Sequence, residues 1–248
     1  MSVRFVLRAG DRGDTFLKST GTFATYVAGH PDASITRHSS FNFHEYQGGI
    51  PGFGIMKVFG EEHFTPNGAG YNMHPHHNFI IMAFVLGGTL THINTIGKVD
   101  SLDRDDYYVF SAGSGGKHCE LNIGDRDAEI LYVWILPGRL LAPPSYRRAR
   151  FDRAARANDI ACLVGNDAGA LPVDQDFKVS RLVSDGDRRY TYKADPAHGV
   201  YVFVVEGDAT VADAILTRRD SIGLEGEPAI EIAVHTPGTD LLIVETRL

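Results

Sequence analysis

The sequence predicts an all-β protein made of two barrels or sandwiches. Its apolar segments are short and rich in β-branched and aromatic residues, which favour strands. Gly, Asp and Asn separate these segments at regular intervals, as in folds built from short antiparallel strands. A pattern of apolar strand, glycine turn and second strand also occurs twice, once in each half of the chain. Over 248 residues these features are typical of paired β domains.

The predicted strands fall into two groups with a break between them. The first group consists of FIIMAFVLGG, TLTHINTIG, DDYYVFSAG and AEILYVWILPG. The Pro- and Gly-rich stretch LPGRLLAPPSY follows, and residues 151–158 after it have a more helical pattern. The second group consists of FKVSRLVS, GVYVFVVEGD, ATVADAIL, IEIAVH and DLLIVETRL. We therefore predict an N-terminal domain over residues 1–145 and a C-terminal domain over residues 146–248, with a short helical linker.

The two halves share the repeat but differ in chemistry. The repeat matches AFVLGGTLTH in the first half with VFVVEGDATV in the second. Aligning the halves on it puts Lys193 at the position of His74 and Asp195 at that of His76. Five of the 11 histidines lie between His74 and His118. We therefore predict a site in the N-terminal domain, and a copy of the fold without a site in the C-terminal domain.

The overall charge argues against nucleic acid as a direct partner. The formal net charge is −7 and the pI is about 5.8. Non-specific nucleic-acid binding needs a basic surface that displaces counterions. The one basic cluster, YRRARFDRAAR, is short and interrupted, so a solvated linker or helix face is the favoured interpretation.

Cysteine usage and the lengths of the apolar runs predict a cytoplasmic protein that does not enter a membrane. The two cysteines, Cys119 and Cys162, are too few for a disulfide framework. No apolar run approaches the roughly 18 residues that a membrane helix needs. The first residues also lack the pattern of a signal peptide.

The stretch YNMHPHHNF places histidines where a strand is predicted to begin. Side chains alternate between the two faces of a strand, so His74 and His76 are predicted to point the same way. Pro75 lies on the other face, and its missing backbone donor suits the start of a strand. His77 points away from the pair, toward solvent or behind the site. For this stretch alone, a polar surface turn without any metal is the alternative.

A second pair of candidate ligands follows in GSGGKHCELN. His118 and Glu120 share a face, whereas Cys119 points to the opposite face and is not counted as a ligand. Together the two pairs supply three imidazoles and one carboxylate, which suit Fe(II), Mn(II), Ni(II), Cu(II) or Zn(II). Open positions for water, substrate or dioxygen would make the site catalytic rather than structural. His92, on the next predicted strand, faces this pocket or is a core histidine, and the second interpretation is slightly favoured.

The stretches HPHHNF, VLGGTLTHINTIG and SAGSGGKHCELN, in this order, resemble the pirin family of the cupin superfamily. The run from SSFNF to HPH and the C-terminal half are also similar to that family, so the resemblance spans nearly the whole chain. It implies an all-β bicupin of two double-stranded β-helix (jelly-roll) barrels, of which the C-terminal one is metal-free. The family's ligands fall on His74, His76, His118 and Glu120. Iron is its usual metal, so the resemblance implies Fe(II), with Mn, Ni, Cu or Zn as alternatives.

The resemblance implies more than one kind of function. Several family members resemble quercetin 2,3-dioxygenases, which open a flavonol ring with dioxygen. A small enol-bearing aromatic would then be the substrate, and Glu120 would remain a ligand or accept the hydroxyl proton as the catalytic base. The eukaryotic namesake is instead an iron-binding cofactor of transcription, and bacterial members have been linked to enzyme or regulator binding. The alternatives are thus a metal-dependent regulatory protein that docks a protein partner, and a storage or remnant bicupin without turnover.

The sequence departs from the family pattern without losing a ligand. An acidic residue is usual four positions after HPH, and Ile80 stands there. Ile80 is predicted to face the interior, two strand steps beyond His76, and to make the pocket more apolar. The other departures are His77, Asn94 and residues 104–106. The candidates for apolar walls that would hold a flat ring are Phe53, Met56, Ile80 and Trp134.

Overall fold

Strands and the turns between them make up nearly all of the computed structural model, which describes residues 2–21, 25–44, 46–226 and 228–248. The predicted all-β architecture with two barrels is confirmed. Within these ranges the one helical element is a 3₁₀ turn at Ala9–Asp11. No helix in the described ranges is long and apolar enough to cross a membrane.

The strands are numbered in chain order. The first twelve are β1 Ser2–Leu7, β2 Gly13–Lys18, β3 Val27–Ala28, β4 Ser34–Ser39, β5 Met56–Phe64, β6 Ala69–His76, β7 Ile80–Gly87, β8 Thr89–Asn94, β9 Lys98–Asp103, β10 Asp106–Ser111, β11 Gly116–Asn122 and β12 Ala128–Ile135. The others are β13 Ser145–Arg150, β14 Ile160–Val164, β15 Phe177–Ser184, β16 Arg188–Lys193, β17 His198–Glu206, β18 Asp208–Val211, β19 Ala214–Thr217, β20 Ser221–Glu225, β21 Ala229–Val234 and β22 Thr239–Arg247.

The N-terminal barrel comprises Gly13–Gly52 and Met56–Phe151. Its seven-stranded sheet has the order β13-β10-β7-β12-β5-β4-β2, and its five-stranded sheet has the order β3-β6-β11-β8-β9. Alternating residues of the central strands fill the space between the sheets, as their period of two dictates. Fully buried members of this core include Phe64, Ile81, Ala83, Val85, Tyr108, Phe110 and Ile130. Burying each large side chain of this kind contributes about 1.5–3 kcal/mol.

The C-terminal barrel comprises Met1–Arg12, Phe53–Ile55 and Asp152–Leu248. Its six-stranded sheet has the order β1-β20-β17-β22-β15-β14, and its four-stranded sheet has the order β16-β21-β18-β19. The edge strand β1 pairs with β20 from Ser2↔Glu225 to Leu7↔Ser221. The start of the chain therefore completes a barrel that is otherwise built largely from its last hundred residues. The core of this barrel includes Leu182, Val200, Val202, Val204, Ile222, Leu241 and Ile243.

The prediction of a helical linker is wrong. Residues 145–150 form β13, which pairs with β10 along its whole length. A single turn follows, in which the backbone N–H of Arg156 donates to the Asp152 carbonyl at 3.0 Å. The Asp152 carboxylate accepts from the amides of Ala154 and Ala155, and Asn158, at φ +62°, ends the turn. Such a capped start has the local signals of a helix, but one turn is too short to propagate.

The predicted domain boundary between residues 145 and 146 remains a prediction. The change from one compact unit to the other falls between Phe151 and Asp152. Pairing with β10 makes β13 part of the N-terminal barrel. Neither compact unit is one continuous segment, because two short stretches from the first half of the chain belong to the C-terminal barrel.

Strand pairing relates the two barrels residue by residue. The sequence repeat aligns His92 on β8 with Val211 on β18. His92 pairs with Glu120 on β11, and Val211 pairs with Ile232 on β21. Ile232 is therefore the counterpart of Glu120.

The same pairing identifies the counterparts of the histidines. His118 lies two residues before Glu120 and pairs with His74. Ile230 lies two residues before Ile232 and pairs with Tyr192. Tyr192 is therefore the counterpart of His74, and Ile230 is the counterpart of His118.

The predicted equivalence of Lys193 with His74, and of Asp195 with His76, is wrong by one residue. Tyr192 stands at the first position, and Ala194, two residues on, stands at the second. A shift of one residue along a strand moves a side chain to the opposite face. The sequence alignment missed this one-residue shift because the repeat aligns β8 with β18 and does not determine how β6 aligns with β16.

Candidate metal centre

Strands β6 and β11 lie side by side and bring three of the predicted ligands together. His74 pairs directly with His118, and His76 pairs with Gly116. Ligand atoms of His74, His76 and His118 all lie within 4.8 Å of one another. A metal ion with bonds of about 2.1 Å holds two nitrogen ligands up to about 4.2 Å apart. The imidazoles are therefore spaced closely enough to share one ion after small adjustments.

A β-bulge in β6 adds Tyr71 to the side of the histidines. Tyr71 pairs with Glu120 and His74 with His118, so two residues of β6 lie opposite the single residue Cys119. The extra residue shifts the alternation of side chains. Tyr71 and His74 are both buried although they are three residues apart, whereas Met73 between them is 45% exposed.

Two of the imidazoles, those of His76 and His118, suit a metal ion because they lack hydrogen-bond partners and because their pKa values are lowered. Nε2 of His76 and Nε2 of His118 are buried, and neither has a hydrogen-bond partner in the described part of the chain. Such an unpaired buried group costs about 1–3 kcal/mol, which a bound metal would remove. Burial, together with the neighbouring imidazoles of His118 and His74, lowers the pKa of His76 to about 3. Burial and His74 also lower the pKa of His118, and the neutral imidazole is the form that binds metal.

Contacts behind the imidazoles determine which nitrogen faces the centre. The Nδ1 of His74 lies 2.7 Å from the carbonyl oxygen of Asn72, to which it donates, so Nε2 remains for a metal. The Nδ1 of His118 lies 3.1 Å from Nε2 of His92, which turns Nε2 of His118 toward the centre. Both imidazoles are thus oriented before any metal binds.

His92 is fully buried, which both of its interpretations allow, and its Nδ1 has no hydrogen-bond partner among the described residues. Its ring stacks on that of Tyr146, with 4.9 Å between centroids and 7° between planes. Burial, followed by the charge of His118, lowers the pKa of His92 to about 2 and so keeps it neutral. Ligand atoms of His92, His118 and Glu120 also lie within 4.8 Å of one another, so His118 belongs to two overlapping sets of metal-binding groups.

The predicted fourth ligand, Glu120, is buried beside His118. Its Oε2 is 3.7 Å from Nε2 of His118, and its Oε1 accepts a hydrogen bond from the Tyr108 hydroxyl. Burial raises the pKa of Glu120, while His74 and the hydrogen bond from Tyr108 oppose this rise. A nearby cation would favour the ionised carboxylate. Glu120 therefore lies within reach of the histidine cluster, with one oxygen bound by Tyr108.

A pocket opens beside His74 and Glu120. Its empty volume, including the space open to solvent, is about 290 Å³. The ring of Trp134 lies edge-on to His76 at 4.8 Å and edge-on to Phe43 at 5.3 Å, measured between centroids. The lining residues are Tyr26, Arg37, Phe43, Val58, Glu62, Tyr71, His74, Glu120, Tyr132 and Trp134.

Of the predicted apolar walls, Trp134 lines this pocket. Phe53 instead belongs to the C-terminal barrel, where its ring lies edge-on to Phe5 at 5.8 Å. Met56 is fully buried at the start of β5 but is not among the lining residues. Phe43 and Tyr26, which the sequence did not single out as walls, supply aromatic surface in their place.

The prediction that Ile80 faces the pocket is wrong. β6 ends at His76, and Asn78, at φ +51°, lies in the connection to β7. The alternation counted from His76 therefore does not continue into β7. On β7, Ile81 and Ala83 belong to the barrel core, so Ile80 lies on the opposite face, although it is also buried.

A buried polar wall was not foreseen. The Nε of Arg37 donates to Oε1 of Glu62 at 2.9 Å, and the Tyr71 hydroxyl donates to Oε2 of Glu62 at 2.7 Å. The Arg37 guanidinium also donates to the Tyr71 hydroxyl and lies 4.7 Å from the ring centroid of Phe43. Burial raises the pKa of Glu62, and the charge of Arg37 opposes this rise. The signal in the sequence was Arg37, a charged residue at a position of β4 whose alternating neighbours are buried. Its partner Glu62 lies on β5 and is identified only by the pairing of the two strands.

The neighbours of the ligands lie as their strand positions predicted. His77 and Pro75 are exposed. Cys119 is buried and pairs with Ile93 on β8. None of these three belongs to the sets of grouped metal-binding atoms found among the described residues.

Comparison with known proteins identifies both halves of the chain. The family model described as Pirin matches residues 32–135, and that described as Quercetinase C-terminal cupin domain matches residues 163–246. The quercetin 2,3-dioxygenase of Escherichia coli K12 is 27% identical over 198 residues, 79% of this chain and 85% of that protein. A pirin-like protein of Caulobacter vibrioides is 28% identical over 208 residues, 83% of this chain and 89% of that protein.

A solved structure agrees in fold with the whole chain. The bacterial pirin YhhW from Escherichia coli, in complex with nickel(II), superposes with a TM-score of 0.85 at 22% identity. The match covers 98% of each chain. At this identity the likeness establishes the fold, two cupin barrels in one chain.

Proposed function

Because this chain belongs to the pirin family of bicupins, we propose that it is a metal-dependent dioxygenase of the quercetin 2,3-dioxygenase type. The substrate in this proposal is a flavonol or a similar enol-bearing aromatic, whose ring is opened with dioxygen. Two free thiols, Cys119 and Cys162, support the reducing cytoplasm as its location.

One observation carries the proposal. Three imidazoles converge within 4.8 Å, two of them with buried and unpaired Nε2 atoms, at the edge of a pocket with aromatic walls. A site that only stabilised the fold would have no need of such a pocket. The proposed ligands are His74, His76, His118 and Glu120, and Fe(II) is the first choice of metal, with Mn, Ni, Cu and Zn as alternatives.

When bound, the metal would act as a Lewis acid and a template for the substrate's oxygen atoms. The residues around it have their own tasks in the proposal. Glu120 is the proposed acceptor of the substrate's hydroxyl proton, because its carboxylate lines the pocket beside the histidine cluster. The Tyr108 hydroxyl holds Oε1, which leaves Oε2 for the metal or the proton.

The pocket walls would bind and orient the aromatic ring. Trp134 lies beside His76, Phe43 packs against Trp134, and stacking on such rings is geometrically specific. Arg37 and Glu62 form a polar part of the lining, with the Arg37 guanidinium 4.7 Å from the ring centroid of Phe43.

The test is turnover of quercetin by protein that carries a known metal. The protein is loaded anaerobically with Fe(II), Mn(II) or Ni(II), mixed with quercetin and exposed to air. We expect the long-wavelength flavonol absorption band to decay with multiple turnovers. His118→Ala should lower the rate by at least about 100-fold, since removing a ligand is at least as damaging as removing its supporting partner. His77→Ala, a matched histidine outside the ligand set, should keep the rate within about twofold.

Persistence of the flavonol band with fully loaded protein of every metal would contradict the dioxygenase proposal. Metal retention without turnover would then favour the metal-dependent regulatory protein or the remnant bicupin. A pull-down comparing loaded wild-type protein with His74→Ala separates these two, because only a metal-gated regulator loses partners in the variant.

A further inference from the structure

We propose that His92 is a positioning residue of the candidate metal centre. In this proposal Nε2 of His92 accepts a hydrogen bond from Nδ1 of His118, which leaves Nε2 of His118 unprotonated and aimed at the ion. His92 itself is not a ligand, although one of its nitrogens lies within 4.8 Å of ligand atoms of His118 and Glu120. The proposal rests on the proposed metal centre, but it does not depend on which substrate the protein takes.

The two histidines lie on paired strands, β8 and β11, and face the same interior space. His92 pairs with Glu120, and His118 lies two residues before Glu120 on the same face of β11. The Nε2 of His92 lies 3.1 Å from Nδ1 of His118, an ordinary hydrogen-bond distance. The other nitrogen of His118, Nε2, is buried without a hydrogen-bond partner in the described part of the chain.

This hydrogen bond determines where the imidazole protons lie. A histidine that binds a metal through Nε2 has its proton on Nδ1. In His118 that proton points at His92, so Nε2 of His92 must offer a lone pair, and the proton of His92 must lie on its own Nδ1. If Nε2 of His92 carried the proton instead, His118 would be protonated on Nε2 and could not bind the ion.

Hydrogen bonds within the protein do not choose between these two arrangements. Nδ1 of His92 is buried and has no partner among the described residues, so the metal-binding arrangement leaves one N–H unpaired there. The other arrangement leaves the N–H at Nε2 of His118 unpaired. A metal on Nε2 of His118 therefore decides between them, and the proton arrangement of the loaded protein is a direct signature of the proposed role.

Aromatic rings hold His92 in the position that this role requires. Its ring stacks on that of Tyr146, with 7° between the planes. The ring centroid of His92 lies 4.3 Å from that of Tyr108 and 6.2 Å from that of Phe110. His92 is inaccessible to solvent, so water does not compete with His118 for its Nε2.

The C-terminal barrel shows that the fold itself does not need a histidine at this position. The counterpart of His92 is Val211, and the counterpart of His118 is Ile230. Both belong to the apolar core of that barrel. A buried histidine at this position thus accompanies the imidazole cluster, whereas an aliphatic side chain accompanies an ordinary core.

The first test compares the Zn(II) affinities of His92→Gln and His92→Phe, measured in competition with a coloured chelator. The side-chain oxygen of glutamine can accept the hydrogen bond from His118, whereas phenylalanine keeps an aromatic ring but has no acceptor. We expect His92→Gln to stay within about threefold of wild type and His92→Phe to lose at least about tenfold. A role in packing alone predicts the opposite order, because phenylalanine better preserves the stack on Tyr146.

His63→Phe is the matched control, because His63 is a histidine of β5 with a 38% exposed side chain. Its Zn(II) affinity should equal that of wild type. Equal affinities of His92→Phe and wild type, or weaker binding by His92→Gln than by His92→Phe, contradict the proposal. Zn(II) binding needs no turnover, so tight binding without consumption of quercetin contradicts the dioxygenase proposal alone. Wild-type protein that binds no Zn(II) overturns the metal centre and the role of His92 with it.

Nitrogen-15 NMR of histidine-labelled protein tests the proton arrangement without altering the centre. The spectra distinguish a protonated ring nitrogen from an unprotonated one, and the signals of His92 are those missing from His92→Gln. In Zn(II)-loaded wild-type protein we expect the proton of His92 on Nδ1 and none on Nε2. A proton on Nε2 of His92 in the loaded protein overturns the proposal.

Discussion

The two barrels share strand order and pairing, but their mouths carry different chemistry. Where the N-terminal barrel has His74, His118 and Glu120, the C-terminal barrel has Tyr192, Ile230 and Ile232. The two isoleucines are fully buried within the apolar core of the C-terminal barrel. The same positions therefore serve either as a cluster of imidazoles or as ordinary core. Function is set by a few residues at the mouth, while the scaffold stays the same.

The barrels also differ in where they place a buried arginine–carboxylate pair. In the N-terminal barrel, Arg37 and Glu62 line the pocket beside the candidate metal centre. In the C-terminal barrel, Arg181 and Asp240 pair at 2.7 Å, nearly inaccessible to solvent, with Arg153 as a further partner of Asp240. Burial raises the pKa of Glu62, whereas Arg181 and Arg153 overcome burial and lower the pKa of Asp240. One barrel thus has its pair in the lining of the pocket beside the candidate metal centre, and the other has it between two paired strands.

The largest expected effect is loss of metal from one barrel only. His118→Ala should reduce bound metal from about one ion per chain to below about 0.1, because it removes an oriented nitrogen ligand. Elemental analysis by mass spectrometry after dialysis measures the content. His198→Ala in the C-terminal barrel is the matched control and should retain the metal. Equal loss in both variants would show that metal binding does not distinguish the barrels.

The next effect concerns stability of the C-terminal barrel. Arg181→Met should lower the free energy of unfolding by about 3 kcal/mol, because it leaves the buried Asp240 with only Arg153. Urea unfolding measures the change. Arg188→Met breaks an ion pair with Asp185 that is more than half exposed and should cost less than about 1 kcal/mol. The amount of bound metal per chain should be the same in both variants. A loss of metal in Arg181→Met alone would mean that metal binding in the N-terminal barrel depends on this ion pair of the C-terminal barrel.

A smaller effect is expected when one hydroxyl is removed behind the metal centre. Tyr108→Phe deletes the donor to Oε1 of Glu120 and should weaken metal affinity about tenfold. Competition with a coloured chelator measures the affinity. Tyr192→Phe deletes the corresponding kind of bond, from a tyrosine to Glu245, in the other barrel and should leave metal affinity unchanged. An unaltered affinity in Tyr108→Phe would remove Glu120 from the ligand set.

The smallest effect is a change in the acid dependence of stability. Asp240 has a lowered pKa in the folded protein, so its contribution is present above the unfolded value of about 3.9 and is lost as pH falls through the folded value. Asp240→Asn should therefore have a lower free energy of unfolding than wild type at pH 6. This difference between the two proteins, the stability gap, should narrow as pH falls from about 4 to 2. Urea unfolding at several pH values measures the gap. A constant gap would mean that Asp240 contributes through shape and not through charge.

Alternation along single strands predicted much of the candidate site. His74 and His76 share a side because nothing interrupts the pleat between them, and His118 faces them across one ladder. Tyr71 was missed because a bulge depends on how two strands pair, which the sequence of β6 alone does not reveal. Ile80 was misplaced because the connection through Asn78 resets the alternation.

Other features depend on contacts between distant parts of the chain. Arg37 and Glu62 become partners only when β4 and β5 pair. The stretch after β13 has the capping pattern of a helix, but the chain enters β14 before a second turn forms. The all-β fold was predictable because nearly every segment outside residues 151–158 has a consistent strand pattern, whereas the register between barrels required the observed pairings.

The pairing of β1 with β20 links the order of synthesis to the order of folding. Arg4 of β1 donates to Glu225 of β20, 221 residues later in the chain. A ribosome therefore releases β1 long before its partner exists, and at about 5–20 residues per second the wait is roughly 10–45 seconds. During that time β1 is an unpaired strand edge of the kind that invites pairing with other chains. Folding of the C-terminal barrel must thus bring β1 together with a strand that is synthesised 221 residues later, so this barrel depends on β1 staying available.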